Sequence, residues 1–220
     1  MNFSYPIVLD LTNRPCLVVG GGKVAQRKVT SLLKAGAAVT VVSPQVTETI
    51  NDLHKKGRIA VVNRAFQPQD LDGQFILFGA LNDPSARAEL ATEAKKRGIP
   101  ANLADDPQNC DFIIPSSFRD NDLLVAVSTN GRSPALSRKL RQVLEAKIGP
   151  SFALQVEAMG EIRDRLFNDI PDREDLRREV FLGIVDSDLL DVLRHGDEET
   201  FNSRVDALIA RAMEKAAGHE

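Results

Sequence analysis

Along the first hundred or so residues, short apolar runs alternate with longer stretches that are apolar on one side only. Residues 15–20, PCLVVG, form an apolar run ending in Gly20-Gly21-Gly22, which predicts a buried strand entering a tight turn. Lys23 to Ala35 then reads as a helix. Val24, Val29, Leu32 and Leu33 share one face, and Gly36 stands where a glycine commonly ends a helix. AVTVVS at 38–43 is a second strand stopped by Pro44, and 46–56 is a helix closing at Gly57. IAVV at 59–62 and FILFGA at 75–80 are the third and fourth strands, the latter apolar throughout, as a strand covered on both faces is. Asp83-Pro84 caps a helix running to Gly98, and PANLA at 100–104 is a fifth strand ending at Asp105-Asp106-Pro107.

This strand–helix alternation predicts right-handed crossovers and a parallel sheet with helices on both faces. The pattern then changes. FII at 112–114 and LLVAVST at 123–129 read as strands separated by the turn-like Arg119-Asp120-Asn121-Asp122. Ser133-Pro134 opens a helix that Gly149-Pro150 is expected to end, and 151–220 reads as helical, punctuated near Pro171 and Gly196. The expected fold class is therefore α/β: a Rossmann-like parallel sheet over 1–111, a small strand–helix region over 112–150, and a helical tail over 151–220.

Charge sharpens that division. Residues 1–150 carry 19 Lys and Arg against 14 Asp and Glu, whereas 151–220 carry 9 against 17. The first part, at +5, suits an anionic ligand, although a solvated surface gives the same count. No apolar run approaches the roughly 18–20 residues of a membrane span, and the amino terminus lacks the pattern of a secretory signal, so a cytoplasmic location is expected. Composition also removes chemistry. Tyr5 is the lone tyrosine, and His54, His195 and His219 lack ligand spacing. Cys16 and Cys110 make neither a C-x-x-C pair nor a disulfide framework, and no metal site is expected.

Gly20-Gly21-Gly22-Lys23-Val24-Ala25 fits G-x-G-x-x-A between a strand and a helix, the context in which this motif binds a dinucleotide. Gly20 allows the turn, Gly22 admits the pyrophosphate, and Ala25 allows close helix–strand packing. The acid that usually takes the ribose hydroxyls is missing after the second strand, which ends Ser43-Pro44-Gln45. No Arg stands there for a 2′-phosphate, so NAD is favoured over NADP and Ser43 is left as the ribose contact. Ligands of open α/β sheets lie beyond the strand carboxyl ends. That marks Asn82, Asp105 and the Ser128-Thr129-Asn130-Gly131 turn. Asp105 reads equally as a functional carboxylate or as turn chemistry before Pro107.

GGGKVAQRK at 20–28, NLADDP at 102–107, FIIPS at 112–116 and VAVSTNGRSPALSRKLR at 125–141 together resemble the siroheme synthase family, specifically its dehydrogenase/ferrochelatase module, from about residue 3 to 150. The resemblance implies a Rossmann domain, a dimerisation region, a homodimer, and NAD-dependent oxidation of precorrin-2 to sirohydrochlorin. In many members Fe²⁺ is inserted as a second substrate. It implies Asp105 as the catalytic carboxylate and Gly22, Lys23, Val24, Pro44 and Gln45 among the cofactor contacts, beside Gly20 and Gly21 of the glycine motif. Asn102 and Ser128 fall at the substrate side. Where relatives often read Ala-Thr after the fourth strand, this chain reads Ala80-Leu81, which leaves that cofactor contact to the backbone. The substrate carries eight carboxylates, so Arg132 and Arg138, near the site segment, are candidate contacts. Arg138 and Arg141 share a helix face, which is also how a solvated face looks. A non-catalytic NAD-sensing module is the alternative; it would need neither Asp105 nor the 125–141 segment. Nucleic-acid binding is not expected, because the basic helix has no interleaved aromatics.

Overall fold

A computed structural model describes residues 5–217, apart from the side chains of residues 149–151. The chain divides into two units. One runs to Ile114 and includes Asn130–Arg132; the other comprises Pro115–Thr129 and the chain from Ser133 onward.

The first unit holds five strands: β1 (Pro15–Val19), β2 (Ala38–Val42), β3 (Ala60–Val62), β4 (Ile76–Gly79) and β5 (Ala101–Leu103). They pair in parallel in the order β3-β2-β1-β4-β5, so the chain reverses direction across the sheet after β3. The crossovers carry α1 (Lys23–Lys34), α2 (Glu48–Lys55) and α3 (Pro84–Lys96). Alternate residues of a strand point to opposite faces. Cys16 and Val18 of β1 enter one core with Val29 of α1 and Ile50 of α2, while Leu17 and Val19 enter a second core with Leu90 and Ala94 of α3. Both faces are thus covered, which is why these strands read as unbroken apolar runs.

The second unit begins with an antiparallel pair, β6 (Ser116–Asp120) and β7 (Leu123–Val127), turned at Asn121, whose φ is +47°. The strand expected at 112–114 is displaced to 116–120. FII is apolar for another reason: Phe112 packs on the first core and meets the Phe78 ring edge-on at 5.6 Å. The true strand, SSFRD, alternates exposed and half-buried residues and carries little hydrophobic signal.

Four helices follow: α4 (Pro134–Asp169), α5 (Glu174–Val185), α6 (Leu189–Arg194) and α7 (Glu198–Ala217). α4 runs through Gly149-Pro150 instead of ending there. An interior proline costs a helix about 3 kcal/mol. Burial beyond that point outweighs the cost: Ile162 and Leu166 enter a core with Val180, Ile184, Phe201, Val205 and Ile209, and the Gln155 amide donates to Leu190 O at 2.6 Å. The expected breaks near Pro171 and Gly196 are present. A further one at 186–188, Asp-Ser-Asp, has no glycine or proline to announce it.

Candidate functional site

The β1–α1 corner is built from three glycines that do different work. Gly20 has φ +117°, and its N–H donates to Val42 O at 2.9 Å. A Cβ there would lie 2.3 Å from Ala80 O. A Cβ on Gly21 would lie 1.9 Å from Gln45 O, and the Gly21 carbonyl accepts from Thr47 N–H at 2.9 Å. Gly21 is therefore the position at which the β2–α2 loop closes on the corner, a role that G-x-G-x-x-A leaves unassigned. Gly22 differs from both: nothing lies within 4 Å of a Cβ placed on it. It caps α1 in extended conformation with no side-chain cap, and the first turn of the helix carries no acid. The positive pole of α1 therefore opens onto unfilled space, an arrangement suited to a phosphate.

That space is a cleft of about 560 Å³. It is lined by residues 20–24, by Ser43, Gln45, Val46 and Thr47 after β2, and by Ala80, Leu81 and Asn82 after β4. Every sequence-identified cofactor residue is brought there except Pro44, which does not line it. Val46 and Thr47 were not anticipated, because the motif describes the first turn and not the loop that shuts against it. Ser43 is buried, and its hydroxyl donates to Gln45 O at 2.7 Å, so only its oxygen lone pairs remain for a ligand. No carboxylate or guanidinium is among the lining residues.

β5 lies beside β4, and Ala104 N–H donates to Gly79 O at 2.8 Å, so Asp105 follows at the same carboxyl edge of the sheet. Its φ is +59°, a left-handed conformation that Asp and Asn tolerate better than other side chains. The geometry separates the two neighbouring aspartates. Asp106 accepts twice from the Asn109 amide, at 3.1 and 2.9 Å. Asp105 is exposed and has no hydrogen bond or ion pair to its side chain among the described residues. Beneath it, Asn102 is held at both ends of its amide, accepting from Lys28 Nζ at 3.1 Å and donating to Phe112 O at 2.9 Å. Burial, with Arg27 adding to it, pulls the Lys28 ammonium below its ordinary value. Burial likewise pushes the Cys110 thiol up, against the Leu103 N–H that bonds its sulfur.

The remaining sequence candidates lie on the connection between the units and on α4. Ser128 directly follows β7. Asn130 and Gly131 turn the chain with φ of +51° and +76°, and Arg132 is exposed just beyond. Thr129 fastens this turn to α4: its hydroxyl lies 3.0 Å from that of buried Ser137 and accepts from Ser133 N–H at 3.0 Å. On α4, Arg141 is paired with Glu145, whereas exposed Arg138 makes no ion pair among the described residues. No group of three or more His, Cys, Asp or Glu able to hold a metal occurs among the described residues, and no helix among them is long and apolar enough to cross a membrane.

A family model described as "Putative NAD(P)-binding" matches residues 7–116, and one described as sirohaem biosynthesis protein central matches 120–147. The siroheme synthase of Methylobacillus flagellatus is 37% identical over 208 residues, 91% of this chain and 44% of that protein. The siroheme synthase of Methylococcus capsulatus is 41% identical over 167 residues, 76% of this chain and 35% of that protein. The chain thus spans less than half the length of these curated relatives. Among solved structures, SirC, a precorrin-2 dehydrogenase, superposes with a TM-score of 0.73 at 28% identity, covering 93% of this chain and all of that one. With one model spanning half of its residues and a second following directly, the chain belongs to the NAD(P)-binding family of siroheme synthase homologues.

Proposed function

We propose that this chain oxidises precorrin-2 to sirohydrochlorin with NAD as cofactor. The observation that carries the reading is the unpaired, exposed carboxylate of Asp105 at the sheet edge that also carries the glycine cleft. A pure NAD sensor needs the cleft and not that carboxylate. The likeness to SirC and to the siroheme synthases supports the substrate class.

The chain's residues fit the cofactor. The open space at Gly22 and the uncapped start of α1 would seat the pyrophosphate, with Lys23 and Val24 contributing first-turn N–H groups. Ser43 and Gln45 would flank the adenosine ribose, and the Ala80-Leu81 backbone would run beside the nicotinamide half. Among the described residues no arginine lines the cleft, and Lys23, the one cation that does, stands at the start of α1 on the pyrophosphate side, so no guanidinium is placed for a 2′-phosphate. NAD, when bound, supplies the hydride acceptor. The protein's part is to orient the tetrapyrrole and to take the proton that leaves with the hydride, and Asp105 takes it. Asn102, Ser128, Arg132 and Arg138 are assigned as substrate contacts on their chemistry and on the resemblance alone: polar groups for the macrocycle, guanidinium groups for its carboxylates. Fe²⁺ enters this reading as a second substrate. Four pyrrole nitrogens supply its ligands, so no protein metal cage is required, and Asp105 serves again as proton acceptor.

The 112–150 segment is assigned to dimerisation and substrate binding. On α4, Leu136, Leu140 and Val143 form one stripe, with 50%, 42% and 40% of their surface exposed, and a second copy of this chain would cover it. A cytoplasmic location follows from the supply of NAD and substrate. The reading is tested by incubation with precorrin-2 and NAD⁺, followed by Fe²⁺. NADH absorbance appears in the first step and the siroheme spectrum in the second. Binding of NAD without NADH formation would leave the sensor reading standing.

A further inference from the structure

Lys28 sits in the second turn of the glycine-motif helix, with its side chain turned toward β4 and β5. Nζ lies 5.6 Å from the centre of the Phe78 ring and donates to Asn102 Oδ1 at 3.1 Å. It forms no ion pair among the described residues. A half-buried ammonium without a carboxylate loses hydration and gains little in return, and an apolar side chain of the same length would ordinarily pack at least as well. Packing therefore does not explain a lysine here, whereas what it holds does.

The ammonium bonds one end of the Asn102 amide. The other end donates to Phe112 O at 2.9 Å, and the Phe112 ring packs edge-on against Phe78. This tie runs from α1 through β5 to the segment leaving the Asp105 turn. A second tie lies beside it: Cys110 Sγ accepts from Leu103 N–H at 3.1 Å and approaches the carbonyl oxygens of Leu103 and Asp106, each at 3.3 Å. Residues 104–109, with Asp105 near their start, form the loop that both ties enclose. The Asp105 backbone is left-handed, a conformation costing most L-residues about 1–2 kcal/mol. An exposed turn of that kind keeps one geometry only if its flanks are fixed.

We propose that Lys28 is a positioning residue for the reaction at Asp105, clamping the Asn102 amide and so fixing the Asp105 corner relative to the glycine cleft. The assignment rests on the dehydrogenase reading and adds to it a residue that touches neither substrate nor cofactor. It makes the glycine helix a part of the proton-accepting side of the site as well as of the cofactor side.

The test uses Lys28→Met, which keeps the length of the stem and removes the donor, and Lys28→Arg, which restores a charged donor. With precorrin-2 and NAD⁺, Lys28→Met is expected to lower kcat by about ten- to a hundredfold, as a small misplacement does. KM for NAD stays within about twofold, and melting temperature does not fall. Lys28→Arg recovers most of the lost rate. Hydrogen exchange of the Leu103–Asp106 amides, measured without substrate, speeds up in Lys28→Met and returns toward wild type in Lys28→Arg. Unchanged kcat together with unchanged exchange in Lys28→Met would overturn the proposal. So would a loss of kcat accompanied by a raised NAD KM and a lower melting temperature, the signature of a merely structural lysine. If the wild-type chain makes no NADH at all, the dehydrogenase reading is what fails. The clamp is then judged by exchange alone, and unchanged exchange overturns it.

Discussion

The thiol of Cys110 occupies the place of a sixth strand beside Leu103: its sulfur accepts from Leu103 N–H at 3.1 Å and donates toward Leu103 O at 3.3 Å. β5 is an edge strand, and an exposed edge invites pairing with another chain. Asp111 does the same two residues earlier, its N–H donating to Ala101 O and its carboxylate accepting from Ala101 N–H, both at 2.9 Å. Cys110, through its thiol, and Asp111, through its backbone N–H and carboxylate, thus close the edge that carries Asp105.

Replacing Cys110 therefore costs backbone hydrogen bonds. Cys110→Ala leaves the outward Leu103 N–H without a partner and its carbonyl with only the Asp106 N–H at 3.4 Å, and should destabilise the fold by about 1–3 kcal/mol in urea titration. Cys110→Ser keeps a donor and acceptor on a shorter bond and should cost less. Equal stability of all three proteins would show that water satisfies Leu103 as well as the thiol does. The wild-type thiols should also resist alkylation at pH 8. Burial raises Cys110 above the ordinary thiol value and Cys16 to about 11, so little of either is thiolate at that pH.

Why such details escape the sequence is itself physical. The sheet, its helices and the glycine turn are legible because burial on both faces makes strands such as that of Val18 unbroken apolar runs and imposes a period of 3.6 on a helix such as that of Val29. Position 110 carries no such pattern; its role depends on a contact across seven residues of loop. Gly21 is likewise one x of the motif until Gln45 O is found against it. The strand at 116–120 hid because half of its residues face water, and FII misled because Phe112 serves the core from a loop. Local chemistry suits Asp105 equally to a turn and to a functional role. Only the Asn109 contacts to Asp106, and their absence at Asp105, tell the two carboxylates apart.

The three glycines should separate by experiment. Gly21→Ala forces a methyl to within 1.9 Å of Gln45 O and should cost about 1–3 kcal/mol. Gly22→Asp meets open space, and its carboxylate can accept from first-turn N–H groups as an N-cap. It should leave stability unchanged or raise it by up to about 1 kcal/mol. The same carboxylate takes the donors a pyrophosphate would use and repels it, so NAD affinity should fall by more than about tenfold. Thermal denaturation with and without NAD reads both effects. A Gly22→Asp protein that binds NAD normally would place the phosphates elsewhere.

Asp105 calls for Asn rather than Ala as its probe. Ala in a left-handed conformation adds a backbone cost of about 1–2 kcal/mol that confuses loss of charge with loss of geometry. Asn tolerates the conformation and removes the proton acceptor. Asp105→Asn should keep wild-type stability and NAD affinity while precorrin-2 turnover falls by at least about a hundredfold. Turnover within a few-fold of wild type would remove Asp105 from the proton step.

The stripe on α4 makes a distinct prediction. Leu140 is flanked by Leu136 and Val143 on one helical face, and all three are exposed in the single chain. If a second copy covers this face, Leu140→Arg buries an unpaired charge in the contact and should shift the protein to monomer in light scattering at micromolar concentration. The isolated fold should melt no differently, because the side chain leaves no intrachain core. A wild-type monomer at that concentration would refute the dimer before the variant is made.

Acid should weaken the turn that Asp70 closes. Its carboxylate receives both terminal nitrogens of Arg64, at 2.6 and 2.7 Å, and the Gln67 N–H at 2.8 Å, closing the 3₁₀ turn over Pro68–Leu71 that seats buried Leu71. The Arg64 bonds hold this carboxyl below its ordinary value of 3.8, burial opposes them, and the Gln67 N–H adds to the lowering. A carboxyl depressed in the folded state binds its proton more readily when unfolded. Its contribution to stability is therefore complete above about pH 4 and is lost as pH falls through the folded-state value. Asp70→Asn removes that titration along with the ion pair. Its melting temperature should lie below wild type at pH 7, and the gap should close as pH is lowered from 5 toward 2. A gap that stays constant over that range would mean that Asp70 stabilises the turn through hydrogen bonds that Asn reproduces poorly at every pH, and that its charge contributes nothing.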